Sequence, residues 1–72
     1  MRYEKILELL SYAGDHERTV RITTEDSTEV VGIPTSLDTH VTAHEVYLRP
    51  AAADDGTEIA ISLGAIEDVE LI

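Results

Sequence analysis

Apolar residues recur along this chain at two different periods, and the change of period divides it into one helix and a series of strands. Tyr3, Ile6, Leu7, Leu10 and Ala13 follow one another at steps of three and four, while Glu4, Glu8 and Ser11 fall on the opposite side. That spacing is the signature of an amphipathic helix with one face to bury. Gly14 stands where helices commonly stop, so the pattern predicts a helix over about residues 2–13.

From Thr19 onward the period falls to two. Val20 and Ile22 alternate with Arg21 and Thr23, and the run resumes with Val30, Val31 and Ile33. Between them lies "EDST", whose side chains hydrogen-bond their own backbone readily and so suit a hairpin turn without a glycine. Gly32 inside the second run predicts a bulge or sharp bend, and Pro34 removes a backbone donor, so the strand must change partner or run along an edge there. "PTSLDTHVTA" reads either as a loop or as the far half of a bent strand. In "HEVYLRP", His44, Val46 and Leu48 share one side, and Glu45, Tyr47 and Arg49 the other. After Pro50, Asp55 and Gly56 supply turn chemistry. Ile59, Ile61 and Leu63 then alternate with Glu58, Ala60 and Ser62, "AIED" has the length of one tight helical turn, and "VELI" closes the pattern as a last short strand.

A helix and about five short strands within 72 residues are too few for two packed sheets, so 1–72 reads as a single domain. The fold class expected is mostly β (α+β): an N-terminal helix followed by a five-stranded, strongly bent antiparallel small barrel, the helix covering an open end or side.

Charge changes the functional picture more than the fold. Fifteen acids stand against five bases, for a net charge of −10, and Lys5 is the single lysine. A phosphate backbone is normally met by Lys and Arg that displace counterions, so nucleic acid ranks behind protein as a partner. At very high salt, self-repulsion is screened to a few Å, which makes salt adaptation one explanation of the acidity; a charge suited to a basic partner surface is the other. There is no cysteine, so no disulfide and no thiolate metal site is available. "MRYEKILELL" carries acids where a signal peptide needs an unbroken apolar stretch, and no run approaches a membrane span. A cytoplasmic protein is expected.

The order of parts resembles the Sm-like and SH3-like small barrels. The residues carrying the likeness are "VRITTEDSTEVVGI", Asp38 after the bend, "EVYL" and the ending "IAISLGAIEDVEL". Within that group the chain is most similar to the short, acidic Rof-type proteins, and this resemblance implies a protein inhibitor of the kind that acts on the transcription terminator Rho. The Sm RNA-binding signature has an Asn shortly after the strand-three Asp, and an Arg-Gly pair before the last strand. Here Asp38 is followed by Thr39, His40 and Val41, and Gly64 is preceded by Leu63, so the resemblance extends to architecture and not to the uridine pocket.

No constellation of catalytic residues emerges. His40 and His44 with Asp38 and Glu45 would converge on a metal only in a helix; on a strand the two imidazoles stand about 13 Å apart. The pairs Glu25–Asp26, Asp54–Asp55 and Glu67–Asp68 fall in predicted turns, where water equalises them, whereas acid–base work needs environments that push two carboxyls apart. "DDGTE" lacks the ligand spacing of a calcium loop. Ser11, Ser27, Ser36 and Ser62 lack a nucleophile-elbow pattern, and no phosphate-cradling glycine loop is present. The expectation is therefore a noncatalytic protein-binding or regulatory module without cofactor or metal. Its partner-binding residues are Arg21, Tyr47 and Arg49, which share an outward face by strand parity. The alternatives are an Sm-like RNA-binding protein of a halophile and, behind it, a metal-dependent enzyme. Self-association through strand edges is compatible with each.

Overall fold

The computed structural model describes residues 2–52 and 56–72. Helix α1 (Tyr3–Asp15) is followed by β1 (Val20–Thr24), β2 (Glu29–Asp38), β3 (Glu45–Pro50), β4 (Ile59–Ser62) and β5 (Ile66–Leu71), with a 3-10 turn at Leu63–Ala65 between the last two strands. The strands form one antiparallel sheet in the order β4-β3-β2-β1-β5. The fold is mostly β, as the change of period predicts. Among the described residues β4 and β5 are edges with no ladder between them, so the sheet is not closed by hydrogen bonds.

Strand β2 joins the two halves of this sheet. Its first part, Glu29 to Gly32, pairs with β1, and the part from Gly32 to Asp38 pairs with β3, so "PTSLD" is the far half of a bent strand. The change of partner explains Pro34. Thr24 donates to Thr28, which directs the amides of even-numbered β2 residues toward β1. β1 begins at Val20, opposite Gly32, so the position of Pro34 lies beyond its end and the missing donor leaves no gap in the ladder. Gly32 itself sits where β3 crosses closely. A Cβ there would come within 2.9 Å of the Pro50 Cα and 3.0 Å of the Arg49 carbonyl carbon.

One core lies between the helix and the inner sheet face. It consists of Ile6, Leu10 and Ala13 from α1, Val20 and Ile22 from β1, Val46 and Leu48 from β3, Ile61 from β4, Leu63 from the turn, and Ile66 and Val69 from β5. Each large aliphatic side chain here contributes roughly 1.5–3 kcal/mol relative to exposure. The helix packs on β2 and β5. Tyr3, on the predicted apolar face, is 41% exposed because it lies at the rim, stacked on His44 with ring centroids 5.3 Å apart.

Two local boundaries differ from the sequence pattern. The helix runs through Gly14, which faces the Pro34 carbonyl at a distance suited to ordinary contact. Termination falls to Glu17, which takes the left-handed conformation (φ 52°), while Arg18 N–H donates to the Ala13 carbonyl at 2.8 Å. His16 adds a ring bond, its Nδ1 lying 2.9 Å from the Tyr12 carbonyl oxygen, and stacks on the Tyr12 ring. The second difference is the tight turn, which lies at Leu63–Ala65 rather than over "AIED". Leu63 is buried, so packing of its side chain decides where the chain turns.

Candidate functional site

Strand register fixes what the outer face presents. Val20 and Ile22 of β1, and Val46 and Leu48 of β3, are fully buried, so Arg21, Tyr47 and Arg49 alternate to the other side. Arg21 stands opposite Val31 on β2 and Glu70 on β5; Ile33 stands opposite Arg49; Tyr47 stands opposite Ser36 and Ala60. The three candidate residues therefore share one face, as parity predicts, with half-buried Val31 and Ile33 between the two arginines. Val31 and Ile33 were missed as members of this face, although they occupy the same alternation as Tyr47.

The arginines are not equivalent. Arg21 Nη2 lies 2.8 Å from Glu70 Oε1 across the directly paired strands. Its guanidinium pKa is raised by that hydrogen bond and by the charge of Glu70, then by Glu29 and Asp68. Arg49 is exposed and, among the described residues, makes no ion pair. Tyr47 is half-buried, and Thr35 Oγ1 donates to its carbonyl at 3.3 Å.

A second feature lies at the β4 end of the sheet. Thr24, Glu25 and Asp26 from the β1–β2 turn, Ala60, Ile61 and Ser62 from β4, and Ala65 line an open groove of about 400 Å³. The turn is shaped by its own side chains. Ser27 takes the left-handed position (φ 68°), Asp26 Oδ1 accepts from the Thr28 amide at 3.1 Å and from the Thr24 hydroxyl, and Ser27 N–H donates to the Thr24 carbonyl at 2.9 Å. These donors favour the carboxylate and hold the Asp26 pKa below its ordinary value, with the Thr24 hydroxyl the largest cause. Glu25 N–H donates to the Ala65 carbonyl at 2.9 Å, which ties the turn to the 3-10 segment that leads into β5.

The histidine candidates do not converge. Asp38 Oδ1 accepts from the His40 amide and His40 Nδ1 lies 2.8 Å from Thr42 Oγ1, a self-contained turn, while His44 (φ 48°) faces Tyr3. Among the described residues no group of three His, Asp or Glu side chains is placed to hold a metal ion. Glu67 and Asp68 lie on β5 rather than in a turn, and both are exposed. Asp54 and Asp55 lie outside the described residues. Asp38 and Gly64, the two positions shared with the Sm pattern, end β2 and fall within the 3-10 turn. No helix among the described residues is long and apolar enough to cross a membrane. No protein-family model matches the chain, and no curated protein matches it either.

Proposed function

We propose that this chain is a noncatalytic small-barrel module that works by binding a protein partner with a basic surface, in the manner of the Rof-type inhibitors it resembles, within the cytoplasm of a salt-adapted cell. The carrying observation is the outer face, where Tyr47 and exposed Arg49 stand beside half-buried Val31 and Ile33. Aromatic and arginine side chains around a modest apolar strip are the composition that contact surfaces favour. The exposed acids at both ends of the sheet would speed encounter with a basic partner, and Tyr47 and Arg49 would set the docked register.

The barrel reading is supported by the groove. Thr24–Asp26 and Ala60–Ser62 line it together, although β2 and β3 stand between β1 and β4 in the sheet. Only a sheet that curls brings those two segments together, and the register shift of β2 between Pro34 and Ser36 is the kind of irregularity that bends a strand. On this reading the module is a barrel with an open seam beside β4.

The test is affinity capture from native lysate at native salt with wild-type protein and with the Tyr47→Ala, Arg49→Glu variant. A protein retained by the first and lost from the second, with association that slows as salt rises, is the expected result. Equal retention by both would remove the outer face as the contact surface. A shift of uridine-rich RNA in molar potassium chloride would replace the proposal by the nucleic-acid reading.

A further inference from the structure

We infer that the free edge of β4 is a docking site for an extended, basic segment of a partner protein, which joins the sheet as a sixth strand along the acidic groove. The inference rests on the reading of the chain as a protein-binding module and specifies the partner's chemistry.

The backbone comes first. Leu63 N–H donates to the His44 carbonyl at 3.0 Å, and the register continues through Glu45↔Ser62 and Val46↔Ile61. In an antiparallel ladder hydrogen-bonded pairs alternate with non-bonded ones, so Ile61 and Ile59 bond to β3 while the amide and carbonyl of Ala60 and the amide of Ser62 point away from it; the Ser62 carbonyl caps the 3-10 turn Leu63–Ala65. β3 is the one partner of β4 among the described residues. Natural edges are usually blunted by a proline, a charge or a bulge. "IAIS" contains none of these, and an edge of this kind is what strand addition uses.

Side chains then choose the occupant. Along one outer-face row, Asp38 of β2 stands opposite Glu45 of β3, and Glu45 opposite Ser62 of β4. Ser62 is small, so a Lys or Arg opposite it on an added strand reaches over it to Glu45. One step along, Tyr47 stands opposite Ala60, so an apolar residue two positions from the basic one packs over Ala60 against the ring. On the groove side, intervening residues of the added strand meet Glu25 and Asp26. A second copy of this chain fits poorly: its other edge, β5, carries Glu67, Asp68 and Glu70, which would bring acid against acid.

The experiment uses the full chain and a defined probe, a nine-residue peptide alternating valine and lysine, with a valine–glutamate peptide of equal length as control. Two-dimensional NMR titration should move and protect the Ala60 and Ser62 amides with the lysine peptide only, at up to about millimolar concentration. Ala60→Pro removes an outward-facing amide and leaves the ladder to β3 intact, so the protein stays folded and binding falls by about tenfold or more. Glu45→Lys should reverse the preference between the two peptides. Binding that ignores charge, persists in Ala60→Pro, or leaves the β4 amides unmoved overturns the inference. So does a concentration-dependent dimer that Ala60→Pro abolishes, which would make a second copy the occupant. A partner captured through Tyr47 and Arg49 but indifferent to Ala60→Pro would leave the module reading standing and strand addition overturned.

Discussion

The two edges of the sheet each send an isoleucine into the core and expose opposite things. β4 contributes Ile61 and β5 contributes Ile66 to the core, at 9% and 7% exposure, and β5 adds Val69. Outside, β5 carries Glu67, Asp68 and Glu70, the last paired with Arg21, and its ladder with β1 shifts register between Thr23 and Thr24. β4 has small Ala60 and Ser62 in the corresponding places and a regular ladder to β3. Charge and irregularity guard one edge, and the other is plain backbone beside an acidic groove. In a chain this small, both edges are needed for the core, so only what they turn outward is available to distinguish them.

Truncation of the core should show the equality most strongly. Ile61→Ala and Ile66→Ala are each expected to cost about 2–5 kcal/mol, measured by urea unfolding, and a clear gap between them would break the comparison. Gly32→Ala strikes the joint between the two halves. Its Cβ meets backbone of Arg49 and Pro50 that cannot swing aside, so a loss of about 1–3 kcal/mol is expected in the same assay.

Smaller effects separate the edges. Asp26 gives the groove side a pH dependence, because its folded pKa is lowered from 3.8 by the Thr24 hydroxyl and the Thr28 amide. Stability from this group is complete above 3.8 and is lost as pH falls through the lower folded value. Melting curves on the acid side should therefore flatten in Asp26→Ala. The least change is expected from Arg21→Gln, because its pair with Glu70 is half open to solvent and the lost attraction is largely screened; a drop in melting temperature rivalling that of Gly32→Ala would show that the pair holds β5 in place.

Much of this was legible in the sequence because the signals were periodic. The helix face, the alternation in Val20–Ile22 and Val46–Leu48, and the shared face of Arg21, Tyr47 and Arg49 all follow from steps of two or three to four. Pro34 announced a change of partner or an edge, and the register shows β2 passing beyond the end of β1 there while it pairs with β3. What the sequence hid depended on contacts made elsewhere. Gly14 looks like a stop but lies inside the helix facing Pro34, and the stop is a left-handed Glu17 with no glycine to mark it. The tight turn sits at Leu63 because that side chain enters the core. The groove joins residues from β1 and β4 that are far apart in sequence, and no local pattern records such a meeting.

Native-state amide exchange followed by NMR tests the central claim most directly, since it reads the two faces of β4 residue by residue. Ile59 and Ile61 amides should be protected to nearly the level of global unfolding, while Ala60 and Ser62 exchange at close to the rate of open chain. Protection of Ala60 and Ser62 in the isolated protein would mean that the edge already has a partner, and it would contradict an open seam beside β4.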